Sequence, residues 1–172
     1  LRSIDLVHGR KIPNLRDVLE MLPDDMRLFI EIKCCWEPGE AGNVFPRLSD
    51  MIKATGTEDR AVIISFNPEK LVDAYRYLPK ISRYLLLWEK ESPREMVQAA
   101  LECHADGINM QFALLNEDVM REARKSNLEV YVWTLYAPED ATKLINNYGK
   151  IDGITTNFPH KMLKEIEAND YR

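Results

Sequence analysis

An α/β fold with a wholly parallel sheet is predicted by three observations. Six short, β-rich apolar runs recur along the 172 residues, each is followed by a segment of helical periodicity, and no hairpin turn joins neighbouring runs. Strict alternation of strand and helix calls for right-handed crossovers between parallel strands. Two architectures satisfy it: an open doubly wound sheet, or a (β/α) barrel. The open sheet usually shows a Gly-rich phosphate turn after an early strand, and this chain has none. Residues at the strand exits (Glu31, Lys33, Asn67, Gln111, Trp133 and Asn157) suit a barrel, whose site is assembled at the C-terminal rim. The expected fold is therefore a TIM-barrel-like α/β domain over residues 1–172. About six of eight β/α units are present, since a full barrel typically needs about 250 residues.

The elements follow in order. Residues 1–11 lack periodicity, contain Gly9, and read as a connecting segment. Leu15, Val18, Leu19 and Leu22 then repeat at helical spacing, with Pro13 before them and Pro23-Asp24-Asp25 as the stop. The first strand is 27–33, and the Pro- and Gly-bearing stretch 36–42 is a loop. Residues 44–55 are helical through Val44, Leu48, Met51 and Ile52. A second strand at 61–66 leads through Asn67-Pro68 into a helix over 68–77. The third strand, 81–88, is followed by a helix that starts at Ser92-Pro93 and runs to about Cys103. Strand 105–110 comes next. Asn116 then caps a helix over 117–126, and Asn127 suits the left-handed position at its end. Strand 129–135, a helix from Pro138 to about Tyr148, strand 151–156 and a last helix after Pro159 complete the pattern.

The first strand bears the most chemistry. Alternation places Phe29, Glu31 and Lys33 on one face and Ile30 and Ile32 on the other. A carboxylate and an ammonium sharing one face at a strand exit are costly to bury unless they bind something or each other. Two readings are open: an internal ion pair that closes the strand end, or a site in which Glu31 takes a cation and Lys33 an anion.

Composition narrows the function. Hydrophobic residues make up 45% and charged residues 30% of the chain, which fits a folded globular domain. A net charge of -5 argues against a nucleic-acid partner. Anionic small molecules remain compatible, because one local lysine outweighs a weak overall field. No apolar run reaches the roughly 18 to 20 residues of a membrane span. Cys34, Cys35 and Cys103 offer neither a disulfide framework nor a paired zinc motif. They read as reduced packing residues, so a cytoplasmic location is expected.

Five stretches, in order, resemble the glycerophosphodiester phosphodiesterases, a TIM-barrel family: IPNLRDVLEMLP (12–23), RLFIEIK (27–33), AVIISFNPEKL (61–71), LEVYVWTLYAPED (128–140) and IDGITTNFP (151–159). The resemblance implies hydrolysis of a glycerophosphodiester to glycerol 3-phosphate and an alcohol with a divalent cation, Mg²⁺ or Ca²⁺. It assigns Glu31 to the metal, Lys33 to the substrate phosphate and Trp133 to the glycerol pocket. Phe66 and Gln111 are placed at the substrate rim. Asn157 stands where the family commonly has Asp.

The resemblance also implies what is absent. The family's opening His-Arg-Gly, Glu-x-Asp and His-Asp pieces carry its acid/base histidines and two of its three carboxylate ligands, and this chain has none of them. His8, His104 and His160 lie in other contexts, so no catalytic residue is assigned. A hard dication wants about six oxygens, and Glu31 alone holds one weakly or not at all. Three readings follow: the C-terminal part of a longer enzyme, a shortened barrel serving as a binding or assembly module, or an unrelated α/β domain. The first, suggested by the start at Leu1, carries the expectation that this chain alone is nearly inactive. The open edges at 27–33 and 151–156 are expected to be covered by an upstream segment, a second copy or a domain swap.

Overall fold

The computed structural model describes residues 11–33, 44–89 and 91–169. Residues 1–10 of the expected connecting segment 1–11 (His8 among them), the cysteine pair 34–35 and the loop 36–42 lie outside the described residues. Within them, strands and helices alternate: α1 (Leu15–Met21), β1 (Leu28–Glu31), α2 (Val44–Thr55), β2 (Ala61–Ser65), α3 (Pro68–Tyr77), β3 (Ser82–Leu87), α4 (Pro93–Glu102), β4 (Gly107–Gln111), α5 (Glu117–Lys125), β5 (Glu129–Leu135), α6 (Pro138–Tyr148), β6 (Gly153–Thr156) and α7 (Pro159–Ala168). A short 3₁₀ turn, Phe112–Leu114, follows β4.

The six strands form one sheet in sequence order, and every neighbouring pair is parallel. The strands are shorter than the apolar runs suggest. Ile32 still donates its backbone N–H to the Ile64 carbonyl at 2.8 Å, but Lys33 lies past the ladder. Gln111, expected just after β4, is its last residue.

The sheet is curled, as a barrel requires. β1 and β5 are four strands apart, about 19 Å along a flat sheet. Yet the rings of Phe29 and Tyr131, one on each, sit with centroids 5.4 Å apart. Phe66 after β2 and Trp133 on β5 are 5.9 Å apart. Such contacts form only across the inside of a curved sheet.

Two surfaces result. The outward side chains Ile63, Leu85, Ile108, Val130 and Val132 are almost fully buried under helix residues such as Leu48, Leu71, Met96, Val119 and Leu144. Each fully buried Leu, Ile or Met contributes roughly 1.5–3 kcal/mol. The inward side holds Phe29, Tyr84 and Tyr131, whose rings pack on one another at 4.8–5.8 Å.

The helix starts follow the predicted chemistry. Asn14 and Ser92 form capping boxes with Asp17 and Glu95, and Asn67 and Asn116 cap α3 and α5, each worth about 1 kcal/mol. Asn127 takes the left-handed conformation at φ 55°. Among the described residues no helix is long and apolar enough to cross a membrane. Beside β6, Ile145, Ile151, Ile154, Leu163 and Ile166 line an apolar groove of about 600 Å³.

Two glycines set the inner packing. A Cβ on Gly153 would lie 2.1 Å from the Tyr131 ring, and one on Gly107 would lie 2.9 Å from the Tyr84 ring and 2.5 Å from the Glu129 carbonyl. The rings occupy the space that these residues leave. Gly153→Ala is therefore expected to lower stability by roughly 1–3 kcal/mol. In a Tyr131→Ala background the same change should cost much less, because the obstructing ring is gone. Equal losses in the two backgrounds, measured by urea unfolding, would show that Tyr131 does not set the constraint.

Candidate active site

Every strand of a parallel barrel delivers its C-terminal residues to one rim, and the residues singled out from the sequence gather there. Glu31 closes β1, and Lys33 stands two residues beyond it. Lys33 Nζ donates to Glu31 Oε1 at 2.5 Å, with Lys33 66% and Glu31 29% exposed. The ion-pair reading is thus realised in the geometry, at the rim where a binding site would also lie. Because the pair is solvated, its strength is about 1 kcal/mol or less, so an incoming ligand can part it.

Across the rim, Phe66 and Trp133 meet nearly perpendicularly, at 89°. The Trp133 indole N–H donates to the backbone carbonyl of Asn109 at 3.1 Å, which fixes the ring from the neighbouring strand. Gln111 pairs in register with Trp133 and is exposed. The structure brings together Glu31 with Lys33, Phe66 with Trp133, and Gln111 with Trp133. Among the described residues, no hydrogen bond or ion pair joins the charged pair to the aromatic residues. Asn157 follows β6, in the bend after the strand.

Neither described histidine is among the residues that these contacts bring together. His104 precedes β4, at the opposite end of the sheet from Glu31, and its ring stacks on Tyr75 at 4.3 Å. His160 is exposed in the first turn of α7.

Three features were not foreseen from the sequence. Trp88, just after β3, is 63% exposed and packs edge-on against Phe66 at 6.3 Å. Asn109 is buried inside β4, and its side-chain Oδ1 has no hydrogen-bond partner among the described residues. At the lower end of the strands, exposed Arg27 donates to the hydroxyls of Tyr131 (3.2 Å) and buried Tyr84 (3.1 Å), while Tyr84 donates to exposed Glu129 at 2.5 Å. Period-two alternation in 82–88 would have pointed Tyr84 and Trp88 to one face. The contacts with Arg27 and Glu129 depend on the curl, which alternation does not encode.

The fit to a divalent cation can be tested on the residues present. Among the described residues, no group of three or more His, Cys, Asp or Glu side chains is placed to hold a metal ion. Glu31 is already engaged by Lys33. Against a demand for about six oxygens, the described residues do not by themselves fit the cation.

These features define a partial (β/α) barrel with a charged pair and an aromatic mouth at its C-terminal rim. The chain belongs to the glycerophosphoryl diester phosphodiesterase family, whose pattern matches residues 2–161. It is similar to a glycerophosphodiester phosphodiesterase of Caldanaerobacter subterraneus subsp. tengcongensis, with 27% identity over 161 residues, 92% of this chain and 63% of that protein. The chain thus spans less than two thirds of that relative's length. The fold resembles the crystal structure of a glycerophosphodiester phosphodiesterase from Parabacteroides distasonis (TM-score 0.82, 24% identity, 98% of this chain and 70% of that one). It also resembles an Oleispira antarctica phosphodiesterase in complex with the product sn-glycerol-3-phosphate (TM-score 0.55, 18% identity, 71% and 51% covered).

The interior cluster makes a measurable prediction. Burial, and the hydrogen bond given to Glu129, hold the Tyr84 phenol well above its ordinary value. A phenol whose pKa is raised by folding keeps its proton in the native state after the unfolded chain has lost it. Its stabilisation is therefore complete below about pH 10 and falls as pH rises beyond that. In an alkaline titration followed by tyrosine absorbance, Tyr84 should ionise only as the protein unfolds. Tyr84→Phe should cost about 1–3 kcal/mol at neutral pH and flatten the alkaline loss. Ionisation of Tyr84 at its ordinary pKa in the folded protein would contradict the cluster.

Proposed function

We propose that this chain carries the phosphate- and glycerol-binding part of a glycerophosphodiester phosphodiesterase site. In the intact enzyme, water adds to the phosphoryl group, the bond from phosphorus to the alcohol oxygen breaks, and glycerol 3-phosphate and the alcohol leave. The observation that carries this reading is the Glu31–Lys33 pair at the rim that also holds Phe66 and Trp133. Its support is a family match over residues 2–161.

The roles follow from the chemistry of each side chain. Lys33 exchanges Glu31 for the phosphate oxygens and balances their charge as the bond breaks. The faces of Trp133 and Phe66 cover the carbon skeleton of the glycerol, and the Gln111 amide offers a donor and an acceptor to its hydroxyls. Glu31 would offer one carboxylate to a divalent cation, whose other ligands would have to come from outside the described residues. No described residue is assigned the proton for the departing alkoxide: His104 is at the far end of the sheet, and His160, in the first turn of α7, is not among the residues brought together at the rim. A second reading, a binding module without turnover, is favoured by the absence of a complete metal cluster among the described residues.

Calorimetric titration with glycerol 3-phosphate tests the site. Lys33→Met should weaken binding by roughly 10- to 100-fold, the range of a hydrogen bond to a charged group. Without metal, Glu31→Gln should strengthen binding by up to about 5-fold, because the carboxylate no longer competes for the ammonium. Unchanged affinity in Lys33→Met would remove the phosphate from this site. Glycerol 3-phosphate release, assayed with and without a chelator, separates the two readings. The 172-residue chain is expected to bind the product and to form little of it. Chelator-sensitive turnover by this chain would show that residues other than those named perform the chemistry.

A further inference from the structure

Five successive strands each lead into an exposed aromatic side chain. Phe66, Trp88, Phe112 and Tyr136 follow directly after β2, β3, β4 and β5, and Phe158 comes two residues after β6. Their exposure runs from 37% for Phe112 to 63% for Trp88 and Tyr136. Among the described residues, two further Phe, Tyr or Trp side chains are exposed. These are Tyr75 and Tyr77, in the last turn of α3, and they stack on His104 and Phe45.

The strand ends share one level. Ser65 closes β2 and pairs with Leu85, while β3 runs on to Leu87. Leu87 pairs with Met110 and β4 ends at Gln111; Gln111 pairs with Trp133 and β5 ends at Leu135, opposite Thr156 at the end of β6. The ends thus advance by about one residue per strand, the stagger that tilt imposes on an eight-stranded barrel of shear 8. The five aromatic residues are therefore carried at one height around the mouth. A protein partner is held mainly by a packed central cluster. A bilayer is a plane that accepts separate anchors at a common depth.

The residue types and charges fit the same occupant. Trp and Tyr join an apolar ring to a polar tip and are enriched where a bilayer meets water. Lys33 is matched by Glu31, exposed Glu89 follows Trp88, and the Lys161 ammonium lies 5.2 Å from the centre of the Phe158 ring. Charges of both signs accompany the rings, and the whole chain is net negative at -5. An anionic surface calls for a cluster of about four or more Lys or Arg, so a zwitterionic one is favoured.

We propose that the C-terminal rim docks on a zwitterionic phospholipid surface, with Phe66, Trp88, Phe112, Tyr136 and Phe158 entering the headgroup layer. The barrel mouth then faces the lipid. Docking of this kind does not depend on the phosphodiesterase reading: it sets where the chain sits, not which bond it breaks.

The test is flotation of the 172-residue chain with vesicles of phosphatidylcholine, alone or enriched in phosphatidylserine. Binding to phosphatidylcholine is expected, no tighter with phosphatidylserine and unchanged by added salt. Trp88→Ala and Tyr136→Ala should each lower the partition coefficient about 10-fold, the effect of about 55 Å² of apolar surface no longer leaving water. Trp88→Phe should retain most of the binding, and Tyr77→Ala, at the other end of the barrel, should change nothing; circular dichroism confirms that the variants fold. Saturating glycerol 3-phosphate should not release the vesicles. Release would place the lipid in the phosphate site and overturn the proposal. Binding that needs phosphatidylserine, is lost in salt or survives both alanine changes would overturn it too. Absence of vesicle binding would do the same, and self-association abolished by Trp88→Ala would then assign the rim to a second copy of this chain.

Discussion

The contact between Phe29 and Tyr131, 5.4 Å between ring centroids, is the constraint on which the molecule depends. It joins the first and fifth strands across the interior and so fixes how far the sheet curls. That curl brings Phe66 within reach of Trp133, although three strand steps separate them. It also places Arg27 between the hydroxyls of Tyr84 and Tyr131. A flatter sheet with the same hydrogen-bonded ladder would keep all six strands and lose the rim.

The interior is divided along the barrel axis. At its lower end, three hydrogen bonds join Arg27, Tyr84, Tyr131 and Glu129, with Arg27 and Glu129 open to solvent. Its upper part is unfinished. Asn109 keeps a buried oxygen without a partner, and the aromatic residues of the rim lie open to solvent. Buried acceptors are almost always paired, and Asn109 Oδ1 is the exception among the described side chains. On the outer, helix-facing side at the base of β3, Arg83 ties the strand to the neighbouring loops. Its guanidinium donates to the carbonyls of Leu78, Ile81 and His104 and pairs with Asp106 at 3.2 Å.

Much of this was legible in the chain. Element types and order follow from apolar periodicity and from local capping chemistry, which act over three or four residues: Asn116 reaching Val119, Ser92 reaching Glu95. Parallel pairing in sequence order follows from the absence of hairpin turns. Glu31, Lys33, Phe66, Gln111 and Trp133 were identified through their neighbours in sequence, and strand polarity alone delivers them to one rim. Strand ends were less legible, since apolar residues such as Ile32 continue past the regular ladder. The contacts of Trp88 and the Arg27–Tyr84–Glu129 chain were not legible at all. They join residues 22 to 104 positions apart through a curvature for which Gly107 and Gly153 only make room.

The pairing of Lys33 with Glu31 bears on how fast an anion arrives. An isolated lysine would project an attractive field into solvent, but this one is matched by a carboxylate 2.5 Å away. At a distance the pair presents a dipole with no net charge, on a chain whose total is -5. An anion approaching from a distance therefore meets weak repulsion rather than guidance. Added salt, which shortens the reach of that field to about 10 Å at 0.1 M, weakens the repulsion, so any attraction of this lysine for an anion is felt only at close range.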